Sequence, residues 1–223
     1  SRLPSPESSP AQHRRRLSRS PRKPAAMTIE TRLHALTSRH STPAKLLGMP
    51  APTEVELRAL VEAAARVSDH GRLQPWRLLT IHGEAGPALG RALVALREAR
   101  GELLDESTRH KDLNRFANAP LSLVVIARIT PGHKIPEVEQ LLSAGALAQN
   151  LLIGACALGY GAQWVTGWPA HDAQAARLLG LAETERVVAF IHVGTPKAEV
   201  PDRERPRFEQ LVSDWRPADM PAL

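Results

Sequence analysis

The stretch that most narrows the fold is Leu121-Ser122-Leu123-Val124-Val125-Ile126-Ala127, which follows Pro120. A strand with one wet face alternates apolar and polar residues. A nearly unbroken apolar run belongs to a strand covered on both faces. A second such run, Val187-Val188-Ala189-Phe190-Ile191-His192-Val193, stops at Gly194-Thr195-Pro196. Two more strands are expected over residues 77–82 and 162–168. Helical patterns separate them. Ile29, Leu33 and Leu36 fall at helical spacing in a first helix, and a second carries Val55, Leu57, Leu60, Val61, Ala64 and Ala65. Thr53 and Glu56 have the spacing of a capping box ahead of that second helix. Further helices are expected over 87–107, 138–158 and about 172–179, the last stopped by Gly180. Residues 108–119, with Lys111, Arg115 and Phe116, are expected to form a mobile polar surface segment. Four strands interleaved with helices predict three layers with the sheet in the middle.

Charge looks informative until it is located. The net +6 of the 223-residue chain belongs entirely to residues 1–26, where seven Arg and Lys face Glu7 alone. That arm is rich in Pro and Ser and has little to bury, so it is expected to be disordered. The domain is expected to open at Met27 and run to residue 223. Nothing past Met27 supports nucleic-acid binding by charge, and a basic-arm nucleic-acid binder is the non-enzymatic alternative. Aromatic residues make up only 4%, so the core must be built from Ala, Leu and Val. Cys156 is the single cysteine, which excludes an internal disulfide, and burial by packing is its expected role. No apolar run is expected to reach the ~20 residues that span a bilayer. With no signal-peptide core ahead of the domain, a cytoplasmic protein is expected.

Two polar clusters remain. One is Ser38-Arg39-His40-Ser41-Thr42, after the first helix. The other is Val67-Ser68-Asp69-His70-Gly71-Arg72-Leu73-Gln74-Pro75-Trp76, between the second helix and the first strand. Loops held at both ends by rigid elements often carry function. No Gly-x-Gly-x-x-Gly follows a strand, and there is no Walker sequence, no zinc spacing of His and no Gly-x-Ser-x-Gly elbow. Cations and hydrogen-bonding groups without a nucleophile suit an anionic cofactor that carries its own chemistry.

Arg39-His40-Ser41-Thr42, Gln74-Pro75-Trp76 entering a strand, Gln163-Trp164-Val165-Thr166-Gly167 and Gly194-Thr195-Pro196, in this order, resemble the FMN-dependent nitroreductase family. Arg66, Asp69 and His70 match the Arg-x-x-Asp-His of its short, single-domain bacterial branch. The resemblance covers about Thr28 to Trp215. It implies an α+β, three-layer fold whose mainly antiparallel sheet is flanked by helices, with a C-terminal extension reaching a partner subunit. It implies a homodimer with FMN at the interface. Hydride would pass from NAD(P)H through FMN to nitroaromatic or quinone acceptors in a ping-pong cycle. A same-fold dehalogenase or flavin-consuming enzyme is the alternative.

By the same resemblance, Arg39 and Ser41 bind the flavin phosphate with His40 alongside. Arg66 and His70 approach the flavin across the interface from Arg39, and Gln74 bonds the ring edge or braces its loop. Trp164, Val165 and Thr166 run along the isoalloxazine. Asp69, Gly71, Pro75 and Trp76 shape the loop. No protein acid, base or metal is implied. The chain departs from the family in its cations: Lys45 is in uncertain register for the flavin N1 position, where Arg66 could serve instead, and Lys197 matches a late phosphate-binding cation only loosely.

Overall fold

The computed structural model describes residues 28–216. The basic arm, and with it the expectation of disorder, lies outside them. A five-stranded antiparallel sheet forms the middle layer. Its strands are β1 (Leu47–Gly48), β2 (Trp76–His82), β3 (Leu121–Arg128), β4 (Gly161–Val165) and β5 (Glu185–Pro196). β3 lies between β2 and β5, while β4 and β1 pair with β5. β1 is the strand that sequence patterning misses, since two residues are too short to show a period.

The helices are α1 (Ile29–Thr37), α2 (Glu54–Ala64), α3 (Ala85–Ala99), α4 (Glu106–Asn114), α5 (Glu137–Ala157), α6 (Ala173–Leu178) and the single turn α7 (Phe208–Leu211). The capping box before α2 is formed: Thr53 Oγ1 accepts from Glu56 N, and the Glu56 carboxylate accepts from Thr53 N at 2.8 Å. Asp172 caps α6 by accepting from Gln174 N and Ala175 N.

β3 shows how the layers are filled. Leu121, Leu123 and Val125 face α2 and α5, where they meet Leu60, Leu147, Leu151 and Ala155. Val124 and Ile126 face the other way, toward Leu93 of α3, Ala175 of α6, Phe116 and Phe190. Every apolar residue of the strand is buried, as the unbroken run requires. Full burial of such a side chain contributes roughly 1.5–3 kcal/mol before the entropy of ordering it is subtracted.

Three expectations are corrected here. α5 has 21 residues and is long and apolar enough to cross a bilayer by length and composition, against the expectation that no run reaches that length. It serves as a core helix: Ala144, Leu147, Ala148, Leu151, Leu152 and Ala155 are buried against the sheet. The helix expected over 87–107 ends at Ala99, and the segment expected to be mobile contains α4. α4 docks on α3 because Gly90 has no side chain; a Cβ there would stand 2.2 Å from Leu113 O. Behind α4, Phe116 is buried edge-on to Phe190, with ring centroids 4.9 Å apart.

The one buried residue of α4 is Asp112. Its carboxylate accepts from Arg97 Nη1 at 2.9 Å, from Arg115 Nη2 at 2.7 Å and from Trp168 Nε1 at 3.0 and 3.1 Å. Burial alone would push this carboxyl up; the hydrogen bonds from Arg115, Arg97 and Trp168 outweigh it and hold it below the usual range. Beside the cluster, His192 is buried with its Nδ1 2.7 Å from Ser122 Oγ on the neighbouring strand. Burial, with the nearby Arg115 charge second, pushes its imidazole down to about 4.

Candidate functional site

The Arg39 cluster leaves α1 through Ser38, whose N–H caps the helix on His34 O. It then runs beside β4. Thr42 is buried and donates from its N to Ala162 O at 3.0 Å, and Ala44 N donates to Gln163 Oε1 at 2.8 Å. The segment is therefore fixed against the strand that carries Trp164. Ser41 is exposed, and among the described residues no carboxylate forms an ion pair with Arg39. A half-buried, unpaired guanidinium next to an exposed hydroxyl can receive an anion in a bidentate grip. Cys156 is half-buried rather than fully buried, with Sγ 3.9 Å from His40 O.

The sequence reading missed two cations here. Arg203 and Arg205 join His40, Ser41, Pro201 and Asp202 around a cleft of about 170 Å³. Arg205 Nη2 reaches Arg39 O at 3.5 Å and is held by the Asp202 carboxylate. The alternating Arg203-x-Arg205-x-Arg207 was the available signal. Lys197, the earlier candidate for a late cation, instead lies across β1, its Cε 2.6 Å from where a Cβ on Gly48 would be. Lys45 is exposed within a 3-10 turn.

The second cluster is strained and braced. Arg72 and Gln74 have φ of 54° and 48°, a region that side chains other than glycine rarely enter, and Gly71 between them and His70 has φ 69°. Asp69 holds this shape: its carboxylate accepts from Leu73 N at 3.1 Å and Gln74 N at 2.8 Å. Ser143 of α5 donates to Ser68 O at 2.8 Å and accepts from Trp76 Nε1 at 3.2 Å. Pro75 is buried. Asp69, Pro75 and Trp76 thus build the loop, while Arg66, His70 and Gln74 remain exposed on it. His70 Nδ1 is bonded to Glu139 Oε2 at 2.6 Å, which leaves Nε2 as the outward nitrogen.

Trp164, Val165 and Thr166 take different positions. Val165 packs toward α3 and Trp168. Trp164 pairs with Ile191 on the α5 side of the sheet and is 36% exposed, so it is not a core indole. Thr166 follows the end of β4 and is half-buried. Trp164 and Val165 lie on the strand that the Arg39 segment flanks, and Thr166 directly follows it.

One chain does not bring all the candidates together. His70 meets α5 at Glu139 and His40 meets it at Cys156. At ~1.5 Å per helical residue, those contacts are about 25 Å apart along the helix. Arg39, His40, Ser41 and Trp164–Thr166 form one group; His70 stands at the far end of α5, on the same loop as Gln74, and Arg66 lies between, since Ala64 O accepts from Asn150 and Ser68 O from Ser143. Among the described residues no group of His, Cys, Asp and Glu could hold a metal ion.

Comparison with known proteins identifies the family and the fold. Residues 36–195 match the model of the Nitroreductase family. The chain is 32% identical over 165 residues to the "Putative NAD(P)H nitroreductase YdjA" of Escherichia coli K12, covering 74% of this chain and 88% of that protein. The crystal structure of a nitroreductase-like family protein from Bacillus cereus superposes with a TM-score of 0.71 at 21% identity, over 86% of this chain and 99% of that one. A mutant of the FMN and NADPH-dependent nitroreductase NfnB from Sphigopyxis sp. strain HMH superposes with a TM-score of 0.64 at 20% identity, over 82% and 97%.

Proposed function

Because the chain belongs to the nitroreductase family, and so is an oxidoreductase, we propose that it binds FMN at the interface of a homodimer and passes reducing equivalents from NAD(P)H to nitroaromatic or quinone acceptors. The observation that carries this reading is that the Arg39–Ser41 segment meets α5 at Cys156 while His70 meets it at Glu139, near the opposite end. A two-fold axis crossing α5 near its middle would turn the Arg39 end of one copy toward the His70 end of the other and leave Arg66 near the axis. α5 carries Leu141, Leu142 and Val138 exposed, and α1 beside it buries none of Ile29, Leu33 or Leu36, so apolar surface is available for a second copy.

When bound, FMN supplies the redox chemistry, a ping-pong relay of hydride equivalents between donor and acceptor. The chain supplies the rest. Arg39 and Ser41 receive the phosphate, since a planar fork of N–H donors and a hydroxyl match its oxygens. The backbone of Trp164–Thr166 would hold the ring, with the exposed indole beside it. From the second copy, Arg66 would supply positive charge toward the flavin, and His70, oriented by Glu139, would offer Nε2 to it. The C-terminal residues 201–216 are exposed, with Phe208, Leu211, Val212 and Trp215 uncovered, which suits a tail laid on the partner.

The test combines two variants. Arg39→Ala and Arg66→Ala, each purified alone, are expected to lose the yellow flavin absorbance on gel filtration. Mixed dimers of the two, made by co-expression with different tags, are expected to recover one intact site and about half the wild-type flavin content. Mixed dimers that recover nothing would show that both arginines serve a site within one chain. A fully yellow Arg39→Ala protein would remove that residue from the phosphate site.

A further inference from the structure

We propose that the buried Asp112 cluster is the positioning device of the flavin wall, with Arg115 and Trp168 as the residues that transmit it. The inference rests on the reading of Trp164–Thr166 as that wall.

Stability does not explain the cluster. A carboxylate 1% exposed, held by two guanidinium groups, is costly to desolvate, and apolar replacements of such groups are often neutral or stabilising. Arg115 Nε is moreover buried with no hydrogen-bond partner. What the cluster does hold is the chain immediately after β4. Strand pairing ends at Val165 with its partner Phe190, so the ladder does not fix Thr166 or Gly167.

Gly167 has φ 72° and ψ −174°, a region open essentially to glycine alone. A Cβ there would stand 2.6 Å from Arg115 Nη1, so the guanidinium packs against the turn through that nitrogen. The next residue, Trp168, donates to both oxygens of Asp112, and its ring lies under Arg97 at 5.5 Å and Arg100 at 6.0 Å. Both residues that follow Thr166 are therefore locked to one buried anion. α4, a polar helix whose one buried residue is Asp112, serves to deliver that anion. The path of Trp164–Thr166 between the β4 ladder and this anchor has little freedom left. A cofactor-facing segment must be held to a fraction of an ångström, and supporting residues of this kind supply that.

Trp168→Phe keeps the ring and removes the donor; Arg115→Lys keeps the charge and removes the planar group. Leu93→Val, in the same layer and 1% exposed, is the control for simple loss of packing. For each, FMN affinity, the visible circular dichroism of bound flavin and hydrogen exchange at the Thr166 and Gly167 amides are measured. The expected result is FMN affinity weakened roughly tenfold or more in Trp168→Phe and Arg115→Lys. An altered flavin dichroism and faster exchange at Thr166 and Gly167 accompany it, while Leu93→Val changes none of these. If both variants match Leu93→Val in all three readouts, the cluster is structural only and the proposal is overturned. A wild-type chain that holds no FMN overturns the functional reading first, and this one with it.

Discussion

The two faces of the sheet are closed by different chemistry. On one, α2 and α5 meet β3 and β5 mainly through Leu, Ala, Val and Ile, and the polar side chains α5 buries, Gln140 and Ser143, are neutral. On the other, α3, α4 and α6 surround a comparable apolar patch but also enclose a carboxylate, two arginines, an indole N–H and a histidine–serine pair. The first face tolerates small errors, since dispersion and burial are non-directional. The second is all or nothing: satisfied it is rigid, and with one member missing it strands a buried charge.

That contrast is open to measurement. Asp112→Ala leaves Arg97 and Arg115 facing each other without their anion and is expected to lose roughly 3–5 kcal/mol in a urea titration. A drop below about 1 kcal/mol would erase the distinction between the faces. His192 gives a pH signature of about 3 kcal/mol. Its folded pKa of about 4 lies below the unfolded value near 6.5, so the unfolded chain takes up the proton first. Stability from this group is complete above pH ~6.5 and falls as the pH drops toward ~4. Replacing His192 with Gln is expected to flatten that window. Asp172 and Glu185, each held down to about 2 chiefly by hydrogen bonds from Arg100 and Arg77, contribute their losses lower, as the pH falls below the ordinary carboxylate range.

On the apolar face the effects are smaller. Ala155→Val overfills a site with no exposure and is expected to cost about 2 kcal/mol. Thr53→Ala, which opens the cap of α2, is expected to cost about 1 kcal/mol by thermal denaturation. Should Ala155→Val exceed Asp112→Ala, the apolar face would be the less forgiving of the two.

The same contrast decides what was legible. Leu121–Ala127, Val187–Val193 and the Thr53–Glu56 cap announce themselves through local periodicity and spacing, and their elements are present. α4 gave no such signal, because Glu106-Ser107-Thr108-Arg109-His110-Lys111-Asp112-Leu113-Asn114 has no apolar stripe. Its docking depends on Gly90, and its buried acid depends on Arg97, Arg115 and Trp168, none of which is a neighbour in any periodic sense. The sequence order of Arg39, His40, Ser41, Arg66, His70 and Gln74 was informative. The separation of His40 from His70 along α5 was not, since a helix that starts at residue 137 sets it. Arg203 and Arg205 escaped notice because an extended tail shows no partner until the chain folds back on Arg39.

One consequence follows from β5. It pairs with β3 along one edge and with β4 and then β1 along the rest, so opening it breaks three ladders at once. Its amides from Val187 to Val193 should be the last in the molecule to trade hydrogen for deuterium, at a rate that reports unfolding of the whole domain. β2, paired with β3 alone among the described strands, should fray independently and exchange by local opening.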